Sequence, residues 1–133
     1  MDVSLSPVSG RDFDVRGAAF DFASEPMMLI DPHGDRIVDA NPAVCTLLGY
    51  DRALLLQMKI SALHAGQVPA LIVFTQAVFD RGSFWTTSLT PRHAAGNELR
   101  LEYTGSLIPQ DGTPLVLLAM SVLEQRRRRQ VDE

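Results

Sequence analysis

The sequence predicts an α+β protein with strands at both ends of the domain and helices between them. Three observations support this fold class. Two apolar runs separated by a turn indicate a hairpin over residues 27–40. Apolar residues then recur at helical spacing as far as Gly82. From residue 83 onward the period changes to two, which is typical of strands with one buried and one solvated face.

Composition limits the class of protein. A chain of 133 residues allows one domain with its own core. A net charge of −4 argues against a nucleic-acid-binding domain. The single cysteine excludes an internal disulfide and fits a reducing compartment. No apolar run reaches the roughly 20 residues that a membrane-spanning helix needs. These features predict a cytoplasmic domain that contacts neither nucleic acid nor membrane.

The first 24 residues are predicted to form a tail and then a flanking helix over Asp12–Ala23. Asp12 is a suitable N-cap for this helix, and Pro26 follows its end. Phe13, Phe20 and Phe22 bring three aromatic rings into ten residues. Such rings need a surface to cover them.

The first two strands are predicted over Met27–Ile30 and Arg36–Ala40. Between them, Asp31–Gly34 contains Asp, Pro and Gly, which favour a tight turn. The two strands therefore form a hairpin.

A helix begins at Asn41 and Pro42. Asparagine can cap a helix with its side-chain oxygen, and proline suits the first helical position. Gly49 ends the helix, because glycine readily adopts the left-handed conformation of a C-cap. Two further helical segments are predicted over Asp51–Leu56 and Gln67–Arg81, with another short turn between them over Ser61–His64. The apolar residues predicted on one face of the longest helix are Val68, Leu71, Ile72, Val78 and Phe79.

The last third predicts three more strands, over Ser83–His93, Glu98–Ile108 and Pro114–Leu123. Turn residues at 94–97 and 109–113 join them as hairpins. The third of these strands is apolar on both faces, as a central strand covered on both sides would be. One face is expected to meet the helices. The other needs the N-terminal phenylalanine helix, a second subunit, or both.

Five residues around the first helix stand at the spacing of a known motif: Ile37, Asn41, Ala43, Gly49 and Tyr50. This stretch resembles the PAS sensory domain, whose sequences often read G-x-I-x-x-x-N-x-A-x-x-x-x-x-G-Y. The first glycine of the motif lies one residue further upstream here, at Gly34. The order of two strands, several helices and three strands is also the order found in that family.

The resemblance implies a five-stranded antiparallel sheet with helices on one face. It implies a PAS domain over residues 25–123 and the start of a C-terminal linker helix over residues 124–133. In that family such a helix often continues as a coiled coil into an output domain, such as a histidine kinase, a cyclase or a transcriptional regulator. The expected partners are therefore a second copy of the chain and a covalently linked output domain.

No catalytic motif occurs in the sequence. It contains neither a Gly-rich phosphate loop nor a Gly-x-Ser-x-Gly elbow. His33, His64 and His93 lie far apart in the chain, and Cys45 has no neighbouring metal-ligand residue. We therefore expect neither an enzyme nor a metal site.

The family resemblance leaves two cofactors open as minor alternatives to no cofactor. Some haem-binding relatives place a histidine just before the long helix, where His64 stands. Some flavin-binding relatives have a tryptophan near the position of Trp85. Cys45 does not lie in the motif of the photoactive flavin-binding relatives, and we expect a small buried thiol.

A small-molecule pocket is predicted between the sheet and the helices, with the alternative of a filled core in a module that only pairs subunits. The predicted pocket residues are Met28, Asn41, Leu48, Met58, His64, Phe74, Trp85 and Tyr103. The predicted outer or dimer face consists of Phe13, Phe20, Val116, Leu118, Met120 and Val122. The run Arg126–Arg129 is interpreted as part of a solvated linker helix, because consecutive residues spread around a helix.

Overall fold

The computed structural model describes residues 17–123, which form a five-stranded antiparallel sheet and a set of helices. The strands are β1 (Met27–Asp31), β2 (Arg36–Ala40), β3 (Ser83–Thr86), β4 (Leu101–Ile108) and β5 (Leu115–Val122). Their order in the sheet is β2-β1-β5-β4-β3. The predicted α+β class and antiparallel sheet are confirmed, with β5 as the central strand. Phe13, the start of the flanking helix and the linker with Arg126–Arg129 lie outside the described residues.

Four helices connect β2 to β3, and residues 17–22 are also helical. The four are α1 (Pro42–Leu48), α2 (Arg52–Leu55), α3 (Ile60–Leu63) and α4 (Val68–Arg81). Asn41 caps α1 as predicted, since its side chain accepts a hydrogen bond from the Val44 N–H at 3.0 Å. Gly49 ends α1 in the left-handed conformation, with φ 83°. Within residues 17–123, no helix combines the length and apolar character that crossing a bilayer requires.

The core lies between α4 and the sheet, and Gly105 of β4 marks the closest approach. A Cβ atom at Gly105 would lie 2.8 Å from the side chains of both Phe74 and Val78 on α4. Gly105 pairs with Leu118 of β5, so Leu118 lies on the same face. The helices therefore cover the sheet face that carries Leu118.

This orientation contradicts the predicted outer face. Val116, Leu118 and Met120 are each 0% exposed in the core beneath the helices, and Val122 packs against the same core. The alternating residues of β5, including Leu117 and Ala119, lie on the opposite face. The prediction was wrong by one residue of register because both faces of β5 are apolar, so the pattern alone does not distinguish them. Phe20 of the predicted face is half-buried.

The inward face of α4 also differs from the predicted one. Leu71, Phe74, Thr75 and Val78 are buried, which places the inward stripe at a spacing of three and four residues. Val68 and Ile72, which were predicted on the same stripe as Leu71 and Val78, are exposed by 40% and 58%. Apolar residues occur on more than one side of this helix, so the stripe could not be fixed from spacing.

The strand after α4 is shorter than predicted. β3 ends at Thr86, although the pattern predicted a strand as far as His93. Pro91 lacks the N–H that a strand ladder needs, and the buried Leu89 anchors this segment in the core instead. The predicted turn at 94–97 is present, closed by a bridge between Arg92 and Glu98.

Candidate functional site

Asn41 is a fully buried junction between three parts of the fold. Its Oδ1 accepts hydrogen bonds from the N–H of Met27 at 2.9 Å and of Val44 at 3.0 Å. Its Nδ2 donates to the carbonyl oxygens of Phe20 at 3.1 Å and Glu25 at 2.9 Å. One amide thus ties the helical residues 17–22 to the start of β1 and to α1. Every hydrogen-bonding position of the amide is used.

A second buried polar contact joins α3 to the centre of the sheet. His64, which follows α3, lies 2.5 Å from the Tyr103 hydroxyl through Nε2 and 2.9 Å from the Ile60 carbonyl oxygen through Nδ1. A carbonyl oxygen can only accept, so Nδ1 carries the proton. Nε2 is then the acceptor, and the Tyr103 hydroxyl donates to it. The pair is neutral and fully bonded.

Burial perturbs both partners in the direction of the neutral form. Desolvation lowers the pKa of His64 below its ordinary value, although the bond to Ile60 and the charge of Asp35 act in the opposite sense. Desolvation also raises the pKa of Tyr103 well above its ordinary value. Both groups are 0% exposed, so this contact remains uncharged near neutral pH.

Aromatic packing extends this contact to α4. The ring of Phe74 meets the Tyr103 ring edge to face, with 6.2 Å between centroids. Phe74 also lies 6.4 Å from the ring of Phe84 on β3. A displacement of α3 or α4 would therefore reach β4 and β3 through directly touching rings.

The cofactor alternatives do not fit these residues. Haem ligation needs an imidazole nitrogen with a free lone pair, but both ring nitrogens of His64 are engaged with Tyr103 and Ile60. Trp85 is 61% exposed and pairs with the exposed Thr104 on the sheet face away from the helices, so it does not face the predicted pocket. Burial raises the pKa of the Cys45 thiol, which keeps it protonated.

A cavity of about 230 Å³ opens elsewhere, where the β1–β2 turn meets α3 and α4. Its lining residues are Pro32, Asp35, Ile60, Ser61, Val68, Leu71, Ile72 and Thr75. Asp35 Oδ1 accepts from the Ser61 N–H at 2.9 Å, and its Oδ2 accepts from the Ser61 hydroxyl at 2.5 Å. These two bonds fix the carboxylate at the edge of the cavity.

None of the eight predicted pocket residues lines this cavity. Met28, Leu48, Phe74, His64 and Tyr103 are buried in the domain interior, and Asn41 forms the junction described above. Met58 is half-buried against the core, and Trp85 lies on the opposite side of the sheet.

Sequence reasoning did not identify Asp35 and Ser61 as partners. They lie 26 residues apart, in a turn and in a short helix. The backbone of Asp35 has a positive φ of 55°, which is uncommon for a residue other than glycine. The sequence around Asp35 predicts a turn but not a contact with Ser61.

Comparisons with known proteins agree with this geometry. The profile of the PAS domain family matches residues 24–124. A comparison with curated proteins gives no match. A PAS domain from a two-component sensor histidine kinase superposes with a TM-score of 0.72 at 14% identity, covering 85% of this chain and 97% of the other.

Two further solved structures are similar. A PAS domain from Colwellia psychrerythraea gives a TM-score of 0.74 at 20% identity and covers 86% of this chain and 99% of the other. The PAS domain of nitrogen regulation protein NR(II) from Vibrio parahaemolyticus gives 0.64 at 22% identity, with coverages of 82% and 98%. At these identities the structural likeness shows the fold alone. The family profile spans most of the sequence, and this chain therefore belongs to the PAS domain family.

Proposed function

We propose that this PAS domain is a sensory and dimerisation module of a larger signalling protein, of the kind that controls a histidine kinase. The observation that carries the proposal is the buried Asn41 amide, which bonds to Phe20 and Glu25 in the segment that precedes the sheet. A flanking segment held in this way moves together with β1 and α1. A signal needs only to favour one arrangement of these parts over another.

The route out of the domain runs through β5. This strand pairs with β1 on one side and β4 on the other, and it ends at Val122, just before the predicted linker. A shift transmitted by the His64–Tyr103 contact reaches β5 through the pairing of Tyr103 with Met120. The central strand thus connects the interior to the predicted output segment.

The proposed dimer uses the sheet face opposite the helices, here called the outer face. It is defined by Leu29, Leu115, Leu117 and Ala119. Leu29 and Leu117 are paired neighbours, so their side chains form a continuous apolar surface. These side chains are half-buried within the chain. A second copy would remove the rest of their apolar area from water.

Substitution of Leu117 by Asp tests this interface. A carboxylate in the middle of the outer face should oppose dimerisation and reduce the mass measured by light scattering to that of one chain, 14.6 kDa. Val73→Asp is the matched control, because Val73 is 68% exposed on α4 and lies away from the sheet. A dimer that survives Leu117→Asp, or a monomeric wild type, would refute the proposed interface.

The same variants test the sensory role. The 133-residue chain would be fused to the kinase region of a sensor histidine kinase, and autophosphorylation would be measured. We expect the autophosphorylation rate to fall at least roughly tenfold for Leu117→Asp, which corresponds to about 1.4 kcal/mol of coupling. The rate should not change for Val73→Asp. Equal activity of both fusions would contradict the role of the outer face in signalling.

We propose that the chain binds a small molecule and does not catalyse a reaction. We also propose a cytoplasmic location, which the single free cysteine supports. The second candidate is a ligand-free pairing module. The tight burial of Met28, Phe74 and Tyr103 between sheet and helices favours it. The two functions differ in whether a small molecule binds to the chain.

A further inference from the structure

We propose that the cavity between the β1–β2 turn, α3 and α4 binds a small primary ammonium compound with an apolar body. On α4, the cavity is bordered by the inward residues Leu71 and Thr75 and by the exposed residues Val68 and Ile72. This inference rests on the proposed sensory function for its biological meaning, and it names the class of ligand that would be sensed.

The size of the cavity limits the ligand. At about 230 Å³ it is larger than the roughly 150 Å³ cavity that holds benzene in an engineered protein. It is smaller than the roughly 300–1,000 Å³ pockets that take drug-sized molecules. One ring or a short branched chain with a single head group fits this range.

The walls supply apolar contact. Ile60 and Leu71 form the buried part, while Val68 and Ile72 form the solvent-facing part. Exposed aliphatic side chains that border a concave site gain from being covered by an apolar ligand. The body of the ligand would lie against these four side chains.

The polar side chains at the cavity determine which ligand head group fits, because their hydroxyl donors already form hydrogen bonds within the protein. The Ser61 hydroxyl donates to Asp35, and the Thr75 hydroxyl donates to the Ile72 carbonyl oxygen at 3.2 Å. Asp35 is an acceptor, and a carboxylate has about four lone-pair positions, of which Ser61 occupies two. What remains at this site is acceptor capacity from Asp35, Ser61 and Thr75, together with one negative charge. An ammonium group has three donors, a positive charge and no acceptor, so it matches this set.

The cavity also shares an element with the interior contact. Ser61 lies in α3, and His64 directly follows the same short helix. A ligand that draws on the Asp35–Ser61 bonds therefore acts on the helix that positions His64 against Tyr103. This is the path by which occupancy of the cavity would reach the sheet.

Binding would be measured on the full chain by calorimetry with three probes of similar shape: benzylamine, benzyl alcohol and benzoate. We expect benzylamine to bind at least about tenfold more tightly than benzyl alcohol, because it forms a charge-assisted bond with Asp35. Benzoate should bind least, since its carboxylate meets another carboxylate. Equal affinities, or no benzylamine binding at millimolar concentration, would overturn the proposal.

Two variants locate the site. Asp35→Asn keeps an acceptor for the Ser61 N–H and tolerates a positive φ, so it should fold while losing the preference for benzylamine over benzyl alcohol. Ile72→Trp should fill the mouth of the cavity and reduce benzylamine affinity at least about tenfold. Val73→Trp on the same helix does not line the cavity and should bind as the wild type does. Undiminished binding to Ile72→Trp would show that the amine binds elsewhere.

Amide NMR shifts of the wild-type chain give a readout that does not depend on folded variants. On addition of benzylamine, the largest shifts should fall in residues 60–75 and at Asp35. Shifts confined to other parts of the chain would refute the assignment. If benzylamine does not bind but Leu117→Asp still disrupts the dimer, the proposed ligand is refuted and the proposed dimerisation function is not.

Discussion

Asn41 shows how a single side chain holds distant parts of the chain together. Its oxygen serves the N-terminus of α1, which local capping rules predict. Its nitrogen serves two carbonyl oxygens, at Phe20 and Glu25, which those rules do not predict. The residue combines a local and a tertiary role because an amide has both donors and acceptors.

Substitution of Asn41 by Asp separates these roles. The two accepted bonds persist, but the donors to Phe20 and Glu25 are lost and a buried carboxylate then faces two carbonyl oxygens. We expect the free energy of unfolding, measured with urea, to fall by about 3 kcal/mol. The control is Asp51→Asn at the exposed cap of α2, where the change should stay within about 0.5 kcal/mol. A loss of less than about 0.5 kcal/mol for Asn41→Asp would show that the hydrogen bonds to Phe20 and Glu25 contribute little to stability.

His64 predicts a dependence of stability on pH. Its pKa is lowered in the folded state, so below about pH 6.5 the unfolded chain takes up a proton that the folded chain resists. The contribution of His64 to stability is therefore complete above pH 6.5. It declines as the pH falls from there toward the folded-state pKa.

The measurement is urea unfolding between pH 8 and pH 5 for the wild type and for His64→Gln. Glutamine does not titrate, yet its oxygen can accept the bond from the Tyr103 hydroxyl. The variant should lose less stability over this range than the wild type. Equal losses in the two proteins would mean that His64 is protonated without cost in the folded state.

At the scale of elements, the contact between α4 and β4 depends on the missing side chain of Gly105. Phe74 and Val78 occupy the space that a Cβ atom would take. The helix therefore packs directly on the backbone of the strand. This close approach sets the distance between the helical layer and the sheet.

Gly105→Ala should reduce the free energy of unfolding by about 1–3 kcal/mol, because the added methyl group must displace two core side chains of α4. Thermal melting monitored by circular dichroism would measure the loss. Ser106→Ala, at the next position of β4 and on the other face, is expected to change stability by less than about 0.5 kcal/mol. A neutral Gly105→Ala variant would mean that α4 can shift without cost.

At the scale of the whole molecule, the order of strands and helices could be predicted in advance because each element depends on neighbours in sequence. The Asp31–Gly34 turn, the Asn41 cap and the Gly49 stop each act over a few residues. The family motif around Asn41 then implied the sheet. The pocket residues were predicted less accurately than the order of elements. Trp85, for example, is an aromatic residue of the kind that lines pockets, but it lies on the exposed sheet face.

The sequence by itself determined the α+β class, the approximate position of each element and the family. The tertiary structure decided which apolar face of β5 meets the helices, where Leu118 lies inward and Leu117 outward. It also decided that His64 meets Tyr103 across 39 residues and that Asp35 meets Ser61 across 26. The physical reason is the sequence separation over which these interactions act, because caps, turns and periodicity involve residues that are near neighbours in the chain. The choice between two equally apolar faces depends on which surface other elements cover.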